Sequence, residues 1–502
     1  MLTSQVTIHP AFTIAPVPHR LFGAFVEHMG RCVYGGIYEP THPESDVDGI
    51  RLDVLKLTRE LGVSVVRYPG GNFVSGYQWE DGVGPADQRP ARLDLAWRSR
   101  ETNQFGLNEF MGWSRLAGAE PMLAVNLGTR GITEACNLVE YANHPGGTYY
   151  SDLRAAHGVA APHDVKLWCL GNEMDGPWQL GHKTADEYGR LAVETARAMR
   201  QVDPTIELVA CGSSNERMPT FGSWEATVLD HTYDDVDYLS LHAYFMQGEQ
   251  DVGTFLASAM SMDAFIDGVV ATADHIRAKK RSSKQLKLSF DEWNLWDETR
   301  FAGHTNLEWA TAPRLIEETY NVLDAVVFAS LLMSLLRHAD RVEIACLAQL
   351  VNVIAPIRSE PGSNAWRQTI FYPFAMTARH ARGEVLHIQQ TAPRYATAHG
   401  DATVTDVIAT REPDSGDVAI FAVNRDQQES ALLDIDIRAF ADMSIVEHVY
   451  LGGDGLNETN SEEFPEHVNL RRGRGAQVSD HHLSISLPPV SWTMLRLSPA
   501  TQ

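Results

Sequence analysis

The chain has 502 residues, and 44% of them are hydrophobic, so it can bury a large core and is not a disordered protein. Its formal net charge of −24 disfavours nucleic acid and anionic membranes as partners but leaves a neutral ligand, such as a sugar, acceptable. The first ten residues lack the basic start and apolar run of a secretory signal, and the five cysteines are scattered, as in proteins with reduced thiols. These features predict a cytoplasmic protein.

Short apolar runs of strand length recur through the first three quarters of the chain, each ending in polar or small residues. Helix-period stretches lie between most of them, most clearly at residues 186–201 and 262–280, and an apolar stretch at 325–336 predicts a buried helix too short to span a bilayer. Eight buried strands alternating with helices predict a closed (β/α)₈ barrel over residues 18–382. The predicted strands are 21–26, 63–67, 121–126, 165–170, 206–211, 238–242, 286–290 and 342–348.

The pattern changes after about residue 380. Short, mostly alternating runs at 417–424, 431–437, 482–487 and 491–497 are separated by Asp, Gly, Asn and Pro, which is typical of antiparallel strands with one solvated face. The strand-like residues near the start of the chain could join them. We therefore predict a C-terminal all-β sandwich formed by residues 1–17 and 383–502.

Two glutamates follow apolar runs of the predicted barrel. Glu173 ends the segment Lys166-Leu-Trp-Cys-Leu-Gly-Asn-Glu, and Glu292 ends Leu286-Lys-Leu-Ser-Phe-Asp-Glu. Because catalytic groups of such barrels lie at the carboxyl ends of the strands, both carboxylates are expected to face one cleft. A carboxyl that protonates a leaving oxygen and a carboxylate that attacks or activates water are what glycoside hydrolysis requires.

Other polar residues at the predicted strand ends are amides, hydroxyls and aromatics with few cations, a set that suits sugar hydroxyls and not phosphates. Trp97, Trp178 and Trp296 lie in predicted loops at the same face and could form apolar walls against sugar rings, whereas Trp168 and Trp293 are expected in the core. The remaining strand-end residues are Glu27, His28, Arg67, Gly70, Gly71, Asn72, Asn126, Asn172, Ser213, Ser214, Asn215, His242, Tyr244, Asp291, Gln349 and Asn352.

Each of these residues also has a structural explanation. A strand-end glutamate can cap a helix or pair with a buried arginine such as Arg67, and His242 can be a structural hydrogen-bonding residue. Metal chemistry is disfavoured because the first strand is followed by Val-Glu-His without a His-x-His, and His-Glu-x-x-His does not occur. Gly82-Val-Gly84 is an isolated fragment of a dinucleotide motif. We expect neither a metal nor a cofactor.

The chain resembles the α-L-arabinofuranosidases of glycoside hydrolase family 51, retaining enzymes built on a (β/α)₈ barrel. The resemblance runs nearly end to end and rests on the following motifs: Phe25-Val-Glu-His, Arg67-Tyr-Pro-Gly-Gly-Asn-Phe, Trp168-Cys-Leu-Gly-Asn-Glu-Met-Asp-Gly-Pro-Trp, Ser240-Leu-His-Ala-Tyr, Ser289-Phe-Asp-Glu-Trp-Asn and Cys346-Leu-Ala-Gln-Leu-Val-Asn.

This resemblance implies that Glu173 is the acid/base and Glu292 the nucleophile of a double displacement on terminal arabinofuranosyl units of arabinan, arabinoxylan or their oligosaccharides. It further implies a jelly-roll-like sandwich, a homohexamer, and a sugar pocket formed by Glu27, Asn72, Asn172, Tyr244 and Gln349. Arg67 and His242 are expected to support the two carboxylates. Residues 297–313 are expected near the leaving group, and the preferred linkage and polymer are left open.

Two other interpretations stay open. A related retaining endo-xylanase or endo-glucanase would have an open cleft in place of a closed pocket. A non-catalytic carbohydrate-binding protein on a barrel scaffold would need neither carboxylate, so the presence of both argues against it.

Overall fold

The computed structural model describes residues 2–301 and 308–500. The described strands are β1 Leu2–Thr7, β2 Thr13–Pro16, β3 Gly23–Phe25, β4 Val65–Tyr68, β5 Arg92–Asp94, β6 Ser99–Glu101, β7 Glu120–Val125, β8 Leu167–Leu170, β9 Glu207–Ala210, β10 Tyr238–Phe245, β11 Lys287–Leu295, β12 Val342–Leu347, β13 Ile357–Arg358, β14 Trp366–Arg367, β15 Glu384–Leu386, β16 Gln389–Thr391, β17 Arg394–Thr397, β18 Gly400–Thr403, β19 Thr405–Arg411, β20 Val418–Asn424, β21 Ala431–Asp436, β22 Met443–Gly452, β23 Arg471–Arg472, β24 Gln477–Ser479, β25 His482–Leu487 and β26 Ser491–Pro499.

The described α-helices are α1 Leu52–Leu61, α2 Leu107–Ala117, α3 Ile132–Asn143, α4 Tyr149–Ala156, α5 Ala185–Val202, α6 Ser223–Thr232, α7 Val252–Leu256, α8 Ala259–Lys280, α9 Val322–Arg337 and α10 Phe371–His380. Short 3₁₀ turns lie at His19–Phe22, Asn72–Gly76, Trp79–Gly82, Ala86–Gln88 and Glu298–Arg300. In the parts of the chain covered by these bounds, no helix is both long enough and apolar enough to cross a membrane.

Eight parallel strands close into a barrel in the order β3, β4, β7, β8, β9, β10, β11 and β12, which confirms the predicted barrel. The helix predicted at 186–201 is α5, and it begins where the Thr184 side chain accepts a hydrogen bond from the backbone N–H of Glu187. The carboxylate of Glu187 accepts one in return from the Thr184 N–H, which completes a capping box.

The predicted barrel strands differ from the described ones in their bounds, most clearly in the first, sixth and seventh. The first was expected to begin at Leu21, but Leu21 and Phe22 lie in a 3₁₀ turn and β3 starts at Gly23. The seventh was expected to end at Phe290, yet β11 continues to Leu295 because β10 also continues and pairs with it, His242 opposite Glu292. Glu292 therefore lies inside a paired strand, beyond a register shift between Ser240 and His242, and not in a loop.

The C-terminal strands form two packed sheets, as predicted for a sandwich. One sheet has the order β16-β1-β21-β25-β24 and the other β2-β15-β19-β20-β26-β22-β23, so strands from the first 17 residues belong to both. Buried aliphatic side chains such as Val6, Ile420, Ile435 and Ile485 fill the space between the sheets.

Helix α9 lies between the barrel and the sandwich. All its residues from Val322 to Leu336 except Asp324 are buried, because one side packs on the barrel and another on the seven-stranded sheet. Phe421, Trp492 and Met494 of that sheet belong to the same apolar cluster as Trp293 of the barrel. The apolar stretch at 325–336 is thus a buried helix, as predicted, and the two parts of the molecule share one core.

Candidate active site

The two predicted carboxylates meet at the carboxyl end of the barrel. Glu173 is 9% exposed and Glu292 is 6% exposed. One carboxylate oxygen of each and a ring nitrogen of His242 lie within 4.8 Å of one another. Glu173 follows β8 after Gly171 and Asn172 and has a φ of +44°, a left-handed conformation that is uncommon outside glycine and concentrates at functional sites.

Glu292 is held by a cation and a phenol. Arg67 Nη1 donates to Glu292 Oε1 over 2.6 Å, and Tyr244 Oη donates to Glu292 Oε2 over 2.8 Å. Gly71 allows the backbone to pass close by, since a Cβ at this position would lie 2.9 Å from Glu292 Oε1. These contacts fix the position and orientation of the carboxylate.

Glu173 has a different environment. Trp178 Nε1 donates to Glu173 Oε2 over 2.6 Å, and His242 Nδ1 lies 3.0 Å from Glu173 Oε1. Burial raises the pKa of Glu173, and the negative charge of Glu292 raises it further, although the hydrogen bond from His242 opposes both effects. Of the two neighbouring carboxyl groups, Glu173 is therefore the one biased toward holding a proton.

His242 and Asp291 form a charged layer beneath the pair. His242 Nε2 lies 3.4 Å from Asp291 Oδ1, and Arg67 Nε lies 3.4 Å from Asp291 Oδ2. Burial alone would lower the pKa of His242, but the charges of Glu292 and Asp291 and the bond to Glu173 raise it to about 10. Burial alone would raise the pKa of Asp291, yet Arg67 and His242 hold it below its ordinary value. The imidazole is consequently a cation at neutral pH.

One end of the site is closed by Glu27 and its partners. Glu27 Oε1 accepts hydrogen bonds of 2.9 Å from the Phe73 N–H and from Trp97 Nε1, and Gln349 Nε2 donates to Glu27 Oε2 over 3.1 Å. Burial and the charge of Glu292 raise the pKa of Glu27 to about 8. A buried carboxyl with three donors around it presents a polar but enclosed wall, suitable for sugar hydroxyls.

Asn172 is oriented by Arg67. Arg67 Nη2 donates to Asn172 Oδ1 over 2.6 Å, which leaves the Asn172 Nδ2 group facing Asn72 Oδ1 at 3.4 Å. The amide nitrogen is therefore the atom that Asn172 can offer to a ligand beside Glu292.

The pocket has a volume of about 370 Å³ and contains every predicted sugar-binding residue except Asn172, which lies buried at its base. Tyr244 and Trp296 meet edge to face with ring centroids 5.3 Å apart. Trp178 is 50% exposed and stands at the open end, with Arg217 and Glu298. The pocket thus has a blind end at Glu27 and a mouth at Trp178.

Several strand-end residues do not line this pocket, and three of them face away from it and from the charged groups beneath it. His28 contacts Glu101 and Tyr68, Asn126 binds the backbone oxygen of Tyr77, and Asn352 binds the backbone oxygen of Arg31. Each faces a neighbouring loop, because a strand end gives the position of a residue but not the direction of its side chain.

The pocket also contains residues that were not predicted. Met29, Ile316 and Ile354 are apolar wall residues, and isolated apolar side chains carry no sequence signal for a site. Arg217 was within reach of sequence reasoning, since it follows the Ser213–Asn215 strand end. Of the segment expected near the leaving group, Glu298 and Phe301 line the pocket, while residues 302–307 lie outside the described residues.

Glu173, Glu292 and His242 are also the group of described side chains whose atoms are close enough to hold a metal ion. The raised pKa of His242 disfavours that role, because a histidine ligand must be neutral. The ion pairs within the cluster account for the same proximity, and the absence of a metal requirement remains a prediction.

Comparisons with known proteins identify families and relatives that this chain resembles. The protein-family model described as "Alpha-L-arabinofuranosidase 1 domain" matches residues 57–251 of the sequence. A second family model, described as "Alpha-L-arabinofuranosidase C-terminal domain", matches residues 291–491. The chain is 56% identical to an intracellular exo-α-(1→5)-L-arabinofuranosidase of Streptomyces lividans, with 99% of this chain and 75% of that protein covered.

Two further similarities come from Bifidobacterium longum. An exo-α-(1→6)-L-arabinofuranosidase is 49% identical, with 98% of this chain and 97% of that protein covered. The solved structure of a family 51 α-L-arabinofuranosidase superimposes with a TM-score of 0.95 at 44% identity, covering 99% of each chain.

Proposed function

The chain belongs to the α-L-arabinofuranosidases of glycoside hydrolase family 51, and we propose that it releases terminal arabinofuranosyl units with retention of configuration. The observation that carries this proposal is the blind pocket behind the two carboxylates. A pocket closed by Glu27, Trp97 and Gln349 has room for a chain end but not for a continuing polymer. The same closure argues against an endo-acting xylanase or glucanase.

In the first step, Glu292 attacks the anomeric carbon while Glu173 protonates the departing oxygen. Arg67 and Tyr244 hold Glu292 in position, and burial together with the charge of Glu292 raises the pKa of Glu173 so that it retains its proton. Asn172 Nδ2 is placed to bind the 2-hydroxyl, a contact that strengthens in the oxocarbenium-like transition state. The glycosidic bond breaks, and an ester forms between the sugar and Glu292.

In the second step, a water molecule enters on the side of the departed group. Once the ester has removed the charge of Glu292, Glu173 loses one of the influences that raise its pKa and can act as a base. It deprotonates the water, which attacks the anomeric carbon and releases arabinose. The carboxylate oxygens within 4.8 Å support this route, because inverting enzymes hold the two carboxyl groups about 6.5–9.5 Å apart.

We further propose α-(1→5)-linked arabino-oligosaccharides as the preferred substrates, with arabinan as their source. The support is the name of the Streptomyces lividans relative, whereas the Bifidobacterium longum relative named for the α-(1→6) linkage is the reason to test both. Arabinoxylan side chains are a third substrate class for the same test.

The proposed reaction is tested by incubating the purified protein with 4-nitrophenyl α-L-arabinofuranoside in methanol–water and following the product anomers by NMR from the first minutes. We expect methyl α-L-arabinofuranoside as the initial product, since two inversions restore the configuration. The β anomer as first product would exclude double displacement. Activity only on xylosides or glucosides would show that the chain is a glycosidase but that the proposed substrate is wrong.

The proposal extends to the assembly and the location of the enzyme. A homohexamer is the assembly that the family resemblance implies. The name of the Streptomyces lividans relative supports a cytoplasmic location. Light scattering coupled to size-exclusion chromatography would measure the number of subunits, and a monomer would contradict the proposal.

A further inference from the structure

A second cavity of about 170 Å³ lies beside the mouth of the catalytic pocket. The two cavities share three lining residues, Asn215, Arg217 and Tyr244. Because the opposite end of the catalytic pocket is closed by Glu27, a chain attached to the departing oxygen can extend only toward Trp178 and Arg217. The second cavity is therefore on the side to which the leaving chain extends.

The lining of this cavity is amphipathic. Phe245, Met246 and Phe265 provide apolar surface, and Gln250 and Ser261 provide amide and hydroxyl groups. Ser261 Oγ donates to Glu216 Oε1 over 2.6 Å, so the hydroxyl and the carboxylate are fixed against each other. Apolar faces next to fixed polar groups suit a sugar ring, which presents both C–H surfaces and hydroxyls.

One wall comes from the sandwich. The β17–β18 hairpin reaches α7, where Tyr395 Oη donates to the Gly253 carbonyl over 2.9 Å and the Ala398 N–H donates to Thr254 Oγ1 over 3.2 Å. This anchoring brings His399, at the turn of the hairpin, to the edge of the cavity. Within residues 2–301 and 308–500, no hydrogen-bond partner of the His399 imidazole is found, so both ring nitrogens can serve a ligand.

We infer that the second cavity is a subsite for a sugar unit of the leaving chain, with Gln250 from the barrel and His399 from the sandwich as its hydrogen-bonding groups. The inference rests on the proposed function and specifies its substrate further. The terminal unit occupies the blind end, the next unit lies at Trp178 and Arg217, and the third reaches the second cavity. Its volume is roughly that of one pentose unit. The C-terminal part of the chain thereby takes part in substrate selection.

The test is a chain-length series. Values of kcat/KM are measured for α-(1→5)-linked arabinobiose, arabinotriose and arabinotetraose with the whole enzyme, and 4-nitrophenyl α-L-arabinofuranoside serves as the substrate that cannot reach the second cavity. We expect kcat/KM to rise about fivefold from biose to triose, as one or two added hydrogen bonds would give, and to change little from triose to tetraose.

The variants His399→Ala and Gln250→Ala should each bring the triose-to-biose ratio toward one. His387→Ala is the matched control, an exposed histidine of the same domain that does not line the cavity, and it should retain the wild-type ratio. If His399→Ala destabilises the hairpin, Gln250→Ala still tests the cavity from the barrel side. A wild-type ratio near one, or a ratio unchanged in both variants, overturns the inference.

The two proposals fail in different ways. If the enzyme cleaves every oligosaccharide equally well, only the second subsite is wrong. If it cleaves the 4-nitrophenyl substrate but none of the α-(1→5) oligosaccharides, both the proposed substrate and the proposed subsite are wrong.

Discussion

Two groups of charged side chains lie inside this molecule, and their balance differs. The catalytic cluster holds four carboxyl groups and two cations; its members are Glu27, Glu173, Asp291, Glu292, Arg67 and His242. The interface cluster, where the sandwich meets α8 and α9, holds two carboxylates and two cations; its members are Asp263, Asp406, Arg337 and Arg425.

The effect of that balance is visible in the pKa values of the carboxyl groups. Burial alone would raise the pKa of Asp406, but Arg337 and Arg425, each within 2.8 Å, hold it below its ordinary value. In the catalytic cluster Arg67 contacts Glu292 and Asp291, and His242 is shared among Glu173, Asp291 and Glu292. Burial and the charge of Glu292 therefore leave the pKa values of Glu27 and Glu173 raised. A matched cluster stabilises ionised groups, whereas a deficit of cations leaves a carboxyl able to hold a proton.

The largest effect is expected from removing the nucleophile. Glu292→Ala should lower kcat by at least about 10⁴-fold, because no other carboxylate can form the ester. Azide should restore part of the turnover and yield a glycosyl azide of inverted configuration, detectable by NMR. Glu343→Ala, at the opposite end of the neighbouring strand β12, is the control and should retain wild-type kcat. An active Glu292→Ala enzyme would show that Glu292 is not the nucleophile.

Disrupting the interface cluster should lower the stability of the protein and leave its catalytic rate unchanged. Arg425→Met removes the 2.8 Å contact to Asp406 and a hydrogen bond to the Leu256 carbonyl, and should lower the free energy of unfolding by about 3 kcal/mol. Denaturant unfolding measures the loss, and kcat should be unchanged. Arg438→Ala, which breaks an exposed pair with Asp436, should produce no measurable change. An equal loss in both variants would show that burial does not matter here.

Replacing Glu27, a carboxyl group of the catalytic cluster, should raise the stability of the protein. The pKa of Glu27 is about 8 in the folded protein, above the ordinary carboxyl value, so the folded state retains a proton that the unfolded chain releases. Stability therefore falls as pH rises through this window, by up to about 1.4 kcal/mol per pH unit. Glu27→Gln, which mimics the protonated form, should gain about 2 kcal/mol more over wild type at about pH 7.5 than at about pH 5.5, while KM rises. An equal gain at both pH values would contradict this account.

The smallest effect concerns the pH profile. The His242 cation lowers the pKa of Glu173, so His242→Asn should let Glu173 hold its proton to higher pH. The alkaline limb of kcat/KM should move to higher pH. His338→Asn removes a histidine beside the interface cluster and should leave the limb in place. A limb that moves down, or one that moves equally in both variants, would refute the role of His242.

The sequence predicted more of the catalytic centre than of its surroundings. Glu173 and Glu292 each follow an apolar strand in a motif that resembles one family of glycosidases, so their positions were within reach. The extension of β11 past Glu292 was not, because it depends on pairing with β10 across a register shift. His28, Asn126 and Asn352 show a further limit, since the direction of a side chain is set by loops that bind it and not by the strand that precedes it.

The cation deficit of the catalytic cluster could not be predicted either. It depends on which of several carboxylates Arg67 and His242 contact, and those distances arise from the closure of the barrel. The second cavity illustrates the same point over a longer range. Nothing in the pattern around His399 separates it from an ordinary hairpin residue, and only the anchoring of Tyr395 on α7 brings it to the barrel.

The order of the strands in the sandwich has a consequence for synthesis of the protein. Strand β1 pairs in parallel with β21, and Thr405 Oγ1 donates to Ser4 Oγ across 401 positions of the chain. At roughly 5–20 residues per second, β1 leaves the ribosome roughly 20–80 s before its partner exists. A strand that waits this long with unpaired edges is open to association with other nascent chains. We therefore expect the yield of soluble protein to depend on translation speed more than its final stability would suggest.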